Sequence, residues 1–378
     1  VPDHVIRQML AAAVNIVVHM HRLSDGSRKI TSICEVRETD GLTTDIREIF
    51  TLVGLALAAT IPVMVGTGAT EGSTGGYWHA MEVLGIAINS KGTMVVLNHP
   101  GSATTGPIYG NASTQLLEFD KNGKFVRELG QGVYGLGYAH SVRFDKYDNL
   151  WVVDKGTHSV MRFNPAGYVT MNLGRRPEGP DAPEELYYRG NGLGRGGGNT
   201  AEHPASVHVD GVLNGPTDIA WDSDDNIYVS DGYVNSRIAK FDKNGDWVKS
   251  FGSRGLGGAH ANENPGLLNT PHNIAVDRQN RVFVADRGNR RIQVFDRDGN
   301  FLKFIFLNAT YDKKHHPTLA NLSPNPPDET PPWALCITNT TPQYLYAIDS
   351  EPSRLYKIAL GGADDGKILG ALGESGRQ

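Results

Sequence analysis

At 378 residues, with 45 Gly, 20 Pro and only 8% aromatic residues, the chain can bury a sizeable core and is composed like a turn-rich β protein. A formal net charge of −5 argues against nucleic acid as the main partner. Its two cysteines, Cys34 and Cys336, lie at opposite ends of the chain, which excludes a disulfide framework or a cysteine-based zinc site.

Residues 1–50 read as a separate segment. Val5, Ile6, Met9, Leu10, Ala13, Ile16 and Val17 fall at helical spacing and predict a helix over residues 3–22 that stands apart from the rest. A turn and a short strand follow in SDGSRKITSICEVRETDG. On the run RLSDGSRKITSICEV this stretch resembles the C-terminal tail of secretion and pilus-assembly ATPases. The chain holds no GxxxxGK[ST] phosphate loop, so that tail carries no ATPase activity by itself. From Ile49 to Thr70 no charged residue occurs. Pro62 and the small residues of GTGA give this run the character of an export signal with its cleavage region, the alternative being a buried core helix. Residues 51–76 are therefore expected to be a signal-like segment and linker, and the protein to be exported to the periplasm or cell exterior, with membrane anchorage only if the segment is retained.

The propeller is expected to begin near Tyr77, and in residues 214–295 one pattern occurs twice: an apolar strand, an Asp-rich turn, a second strand ending in Ser-Asp or Ala-Asp, and a third ending in Phe-Asp. Ile227-Tyr-Val229 and Val282-Phe-Val284 alternate with the period of half-buried strands, as do Arg237–Phe241 and Arg291–Phe295. Repeated four-strand units are how a β-propeller is written. Blade one is expected over Gly85–His99 and Ser113–Gly130, and blade two over His140–Gly174. A Gly/Pro-rich insertion follows from Arg175 to about Leu213. Blades three and four come next, and a degenerate blade five spans Trp333–Leu360 with an exit strand Lys367–Gly373. Five repeats are recognisable in residues 77–378.

The stretches DGYVNSR (Asp231–Arg237), PHNIAVD (Pro271–Asp277) and ADRGNRRIQVF (Ala285–Phe295), in this order, resemble NHL-repeat propellers, and among them the peptidyl-α-hydroxyglycine α-amidating lyases. The resemblance implies an all-β propeller of the six-bladed kind, its sixth blade truncated here. It also implies zinc-assisted cleavage of a carbinolamide N–C bond, giving an amide and glyoxylate. His140 and His272 match two zinc ligands, Tyr233 the catalytic base and Arg287 an arginine near the reacting centre. The backbone oxygen of Val142 matches a structural calcium ligand. A third His ligand is expected from the absent blade. His99 stands where an arginine of blade one is expected.

The residues themselves leave other readings open. His140 and His272 open the first strands of their blades, where imidazoles converging on a channel suit Zn²⁺, or are polar groups bonded to water. Tyr233 is a base if a nearby cation lowers its pKa, or a turn tyrosine packed on the next blade. Arg287 is a carboxylate clamp or an inter-blade salt bridge. The whole propeller is a lyase acting on a peptide or small carbinolamide, or a non-catalytic module binding a protein or peptide. Gly192-x-Gly194-x-x-Gly197 precedes no helix and reads as loop. His203, His208, His315 and His316 read as solvated, and Asp222–Asp225 as turn chemistry rather than a calcium loop.

Overall fold

Alternating apolar residues between Asp/Gly turns fold into four-stranded antiparallel sheets, one per repeat. A computed structural model describes residues 16–22, 28–39, 43–51, 82–99, 114–133, 136–174, 209–255, 264–309, 329–349 and 354–373. The chain divides into two compact units, residues 1–138 with 142–148, and residues 139–141 with 149–378. The repeats form five four-stranded sheets, the blades of a β-propeller.

In the first unit, β1 (Ile16–Arg22), β2 (Arg28–Thr39) and β3 (Thr43–Thr51) form a sheet in the order β1-β2-β3. Ile16 is opposite Glu35 and Arg22 opposite Arg28. The expected helix is thereby corrected over residues 16–22. IVVHMHR opens on three β-branched residues, whose stiff χ1 favours strand over helix, and its spacing satisfies both periods. The rest of that expected helix, and residues 52–81 of the signal-like segment and its linker, lie outside the described residues. Blade one consists of β4 (Glu82–Ile88), β5 (Met94–His99), β6 (Gln115–Phe119) and β7 (Phe125–Leu129), in sequence order. Val96, Leu117 and Phe119 form its buried core.

Blade two comprises β8 (Ala139–Phe144), β9 (Leu150–Asp154), β10 (Ser159–Phe163) and β11 (Val169–Gly174). Blade three comprises β12 (Asp218–Trp221), β13 (Ile227–Asp231), β14 (Arg237–Phe241) and β15 (Trp247–Phe251). A short parallel pair, β16 (Ser253–Arg254) and β17 (Leu267–Leu268), bridges to the next sheet. Blade four holds β18 (Pro271–Val276), β19 (Val282–Asp286), β20 (Arg291–Phe295) and β21 (Phe301–Ile305). Blade five holds β22 (Pro332–Ile337), β23 (Tyr344–Asp349), β24 (Leu355–Ala359) and β25 (Ile368–Leu372).

Within the second unit the core lies between successive blades. Trp151, Val153 and Val160 of blade two meet Ile219, Val229 and Phe241 of blade three. Tyr228 and Ile238 meet Ile274, Val284 and Phe295, and Phe283 and Ile292 meet Leu335, Leu345 and Tyr356. Each fully buried Val, Leu, Ile or Phe contributes about 1.5–3 kcal/mol, so one such layer outweighs surface ion pairs worth up to about 1 kcal/mol each.

Two polar devices recur along the repeats. The hairpins before the outer strands of blades one, three and four are Asx turns: Asp120 Oδ1 accepts the N–H groups of Asn122 and Lys124, Asp242 Oδ1 those of Asn244 and Asp246, and Asp296 Oδ1 those of Asp298 and Asn300. Gly299 in the last of these turns has φ +85, and a Cβ there would lie 2.5 Å from the Phe251 ring, so the turn requires glycine twice over. The second device is the Asp closing the second strand of blades two to five. Asp231 accepts from Asn214 N–H, Asn235 Nδ2 and Arg237 Nε. Asp286 accepts from Asn269 N–H, Asn289 Nδ2, Arg291 Nε and Gln293 Nε2. These carboxylates tie the incoming linker to the blade's own third strand. Asp222, at the inner hairpin, accepts the N–H groups of Asp224 and Asn226, which bears out the turn reading of Asp222–Asp225.

Candidate functional site

The first strands of blades two to five begin in one register: Ala139-His140, Pro216-Thr217, Pro271-His272 and Pro332-Trp333. His140, Thr217, His272 and Trp333 are thus equivalent positions on successive blades. The polar contacts follow that equivalence. His140 Nδ1 lies 2.7 Å from the carbonyl oxygen of Thr217, and His272 Nδ1 lies 2.8 Å from that of Trp333. A carbonyl only accepts, so each Nδ1 carries the hydrogen and each Nε2 presents its lone pair. Each imidazole is therefore turned by the backbone of the blade that follows it.

The two rings come together, with centroids 4.8 Å apart and planes at 71°. His272 is buried, and its Nε2 has no hydrogen-bond partner. Burial first, then the repulsion a proton on His140 would exert and the charge of Arg287, hold its pKa well below the usual imidazole value, so it is neutral at physiological pH. An orphaned, buried, neutral imidazole nitrogen beside a second imidazole is the chemistry of a metal ligand. The Nδ1–H bonds to carbonyls are the outer contacts that orient ligating histidines.

Tyr233 joins them from blade three. Its hydroxyl lies 3.1 Å from His140 Nε2, and its ring centroid lies 5.4 Å from that of His140 and 6.2 Å from that of His272. Gly232 makes this placement possible: a Cβ there would lie 2.0 Å from the carbonyl oxygen of Pro271, directly before His272. Tyr233 leaves 37% of its surface open, so the site has a mouth. Desolvation of the phenol raises its pKa, while the charge of Arg287 and a hydrogen bond from it act in the opposite direction.

Arg287 follows Asp286 at the start of a single 3-10 turn, Arg287–Asn289. Its guanidinium carbon lies 4.9 Å from the Trp333 ring centroid and 5.9 Å from that of Tyr233. Two aromatic faces hold it, and among the described residues it forms no salt bridge. The structure thus gathers four predicted residues, His140, His272, Tyr233 and Arg287, in one place.

The remaining assignments fare differently. Val142 lies two residues beyond His140 in β8, with its side chain buried. His99 ends β5 and is buried against Tyr138, ring centroids 4.5 Å apart. Among the described residues no group of three or more His, Cys, Asp or Glu side chains is placed to hold a metal ion, and His140 and His272 stand there as a pair. The GxGxxG match and His203, His208, His315 and His316 lie outside the described residues. Three neighbours were not singled out by motif: Thr217, Trp333, whose ring centroid is 4.2 Å from that of His272, and Lys155, whose Nζ is 4.6 Å from the Tyr233 centroid. Aligning the blades on their inner turns would have found the first two, since each occupies the histidine position of its own blade.

Stacked four-stranded sheets with buried aspartates at the ends of their second strands define a β-propeller, and part of it carries NHL repeats. The NHL repeat family pattern matches residues 213–241 and 268–295, which are blades three and four. The particular relatives are amidating enzymes and a further NHL protein. Peptidyl-glycine alpha-amidating monooxygenase of Mus musculus is 28% identical over 232 residues, 57% of this chain and 21% of that one. The probable peptidyl-alpha-hydroxyglycine alpha-amidating lyase pgal-1 of Caenorhabditis elegans is 25% identical over 227 residues, 57% of this chain and 55% of that one. NHL repeat-containing protein 3 of Homo sapiens is 27% identical over 198 residues, covering 50% and 47%. The chain thus spans about half or less of the length of these relatives. None of them supports the likeness of residues 1–50 to an ATPase tail.

Proposed function

We propose that this propeller is an exported carbon–nitrogen lyase of the amidating type, cleaving a carbinolamide to an amide and glyoxylate. The observation that carries the reading is the pair of carbonyl-oriented imidazoles, one with an unpartnered buried Nε2, beside a phenol and a guanidinium that forms no salt bridge among the described residues. The residues fit a divalent cation such as zinc, with His140 and His272 as two of its ligands. Bound there, zinc would supply Lewis acidity to a substrate hydroxyl.

The chain's own groups do the rest. Arg287, fixed between Tyr233 and Trp333, presents a planar fork to the substrate's carboxylate and so sets the orientation of the α-carbon. Tyr233 reaches the hydroxyl on that carbon and, as the phenolate that the charge of Arg287 favours against the desolvation raising the phenol's pKa, takes its proton as the C–N bond breaks. The electron pair leaves on the amide nitrogen, which recovers the proton, so the step is balanced without an added reagent. The low-dielectric surroundings of His272 strengthen each of these contacts.

The test is glyoxylate release from an α-hydroxyglycine peptide, run beside a zinc titration. His272→Ala is expected to lose zinc and activity together. Tyr233→Phe is expected to lower turnover about 100-fold or more, the usual contribution of a positioned acid–base group, at unchanged zinc content. Activity that survives His272→Ala, or turnover unchanged in Tyr233→Phe, overturns the proposal.

A further inference from the structure

The stretch of β18 that carries His272 is gripped on both sides by blade three. Its pairing with β19 slips between Pro271 and Ile274, which takes His272 and Asn273 out of the regular ladder. Thr217 Oγ1 lies 2.8 Å from the carbonyl oxygen of Pro271, just before the slip, and Asp218 Oδ2 accepts the Ile274 N–H at 3.2 Å, at its far end. The same Thr217 accepts the His140 Nδ1–H on its own carbonyl oxygen. One residue of blade three thus holds the ring of one imidazole and the backbone beside the other. We propose that Thr217 is the positioning residue of the imidazole pair: its carbonyl turns His140, its hydroxyl sets where the strand presents His272, and together they fix the separation of the two Nε2 atoms for a metal ion. The inference rests on the proposed function only in taking that pair as a metal seat, not on the lyase chemistry.

The contacts of the buried hydroxyl fit one arrangement of hydrogens. Thr217 is fully buried, and its hydroxyl has one hydrogen for three neighbours: the carbonyl oxygens of Ser230 at 2.9 Å and Pro271 at 2.8 Å, and Ser230 Oγ at 2.7 Å. The Ser230 carbonyl already accepts the Thr217 N–H at 2.8 Å. A carbonyl cannot donate, so the contact to Pro271 is a bond only when Thr217 supplies the hydrogen. Ser230 Oγ then donates to Thr217 Oγ1, and both hydroxyl hydrogens have an acceptor. Gly232 leaves room for the approach, since a Cβ there would lie 2.0 Å from the Pro271 oxygen and 3.1 Å from Thr217 Cγ2. Valine at 217 would keep the volume and the branch but withdraw the bond to Pro271, whereas serine would keep the bond. Thr217 also stands at the repeat position that His140 and His272 hold on the flanking blades. A side chain too short to join a metal there acts by holding the two rings that can.

Calorimetric titration of the full chain with zinc, repeated with cobalt(II) and read by its visible absorption, tests this without any turnover. Thr217→Val is expected to weaken zinc binding at least about tenfold, the lower end for partners that orient metal-bound histidines, and to shift the cobalt bands. Thr217→Ser is expected to restore both. Ser230→Ala is the control. It removes a bond from the same buried hydroxyl pair but leaves Thr217 bonded to Pro271, so zinc affinity is expected to stay unchanged. Thr217→Ala also withdraws the hydroxyl, carries the same expectation as Thr217→Val, and replaces it if that chain does not fold. Unchanged zinc affinity without the hydroxyl, an equal loss in Ser230→Ala, or no recovery in Thr217→Ser overturns the inference; zinc lost in His272→Ala would then leave the metal reading standing. A wild-type chain that binds no zinc removes both. Zinc binding as expected throughout, without glyoxylate release, removes the lyase reading and keeps the role of Thr217.

Discussion

Replacing Asp286 by Ala tests how far the repeat's buried carboxylate holds its blade. Asp286 is fully buried, and Arg291 Nε, 3.0 Å away, is only 2% exposed as a residue. Removing one partner of a buried ion pair costs about 3–5 kcal/mol, because the other charge is left in low dielectric. Arg291 keeps a bond to the Leu267 carbonyl at 3.0 Å and the Phe304 face at 4.2 Å, which places its share at the lower end. The Asn269 N–H, half-buried, loses its 2.7 Å acceptor and adds about 1 kcal/mol. Asp286→Ala should therefore destabilise the chain by about 4 kcal/mol in urea titration, with faster amide exchange at Asn269. In the double variant Asp286→Leu/Arg291→Met, apolar replacement of both charges should restore at least half of that loss. A loss below about 1 kcal/mol in the single variant, or no recovery in the double, would refute the view that this pair pins the linker to its blade.

Other consequences are smaller in scope. Gly232→Ala should cost about 1–3 kcal/mol of overpacking and displace Tyr233 from His140, read as a loss of zinc affinity out of proportion to the change in stability; unaltered zinc binding would contradict the role given to Pro271. Trp333→Phe should preserve the carbonyl contact to His272 and most of the Arg287 packing, whereas Trp333→Ala should raise KM for a carboxylate-bearing substrate more than it lowers kcat. For Asp365, burial alone would raise the pKa, but hydrogen bonds and charge from Arg281 and Lys303 outweigh it and bring it to about 2. Its folded pKa is thus below the ordinary aspartate value of 3.8, so its contribution is present above pH 4 and is lost as pH falls towards 2. Asp365→Asn should flatten that acid limb in a pH series of melting curves, and a parallel series would count against the Arg281–Asp365–Lys303 cluster.

The blades were legible as apolar runs between Asp/Gly turns, but the half-buried reading of their alternation is corrected: the middle strands of blades three and four are packed by neighbouring blades on both faces. Ile227–Asp231 and Val282–Asp286 are each buried at every position, and their sequence patterns ended at the strand-closing Asp. His140 and His272 were legible for a related reason: a polar residue at the mouth of an otherwise apolar inner strand has few structural uses. The N-terminal segment was misread because seven apolar residues over thirteen positions satisfy a helical face, and IVVHMHR satisfies a strand equally well. Only pairing with Arg28–Thr39 decides between them, and pairing is not local. Thr217 escaped notice because a lone Thr at the head of a strand is ordinary. Its meaning comes from the histidines that the neighbouring blades bring to it.

The bonds from His140 Nδ1 to Thr217 and from His272 Nδ1 to Trp333 have a mechanical consequence. Neither imidazole is aimed by its own sheet, so the aim of both records how closely blade three docks on blade two and blade five on blade four. A ligand seated on both Nε2 atoms would act as a tie rod across blade three, resisting any separation of the sheets on either side. Its binding energy would then be shared by two junctions at once, and pulling the chain from its ends would find those junctions yielding together when the site is filled and one after the other when it is empty.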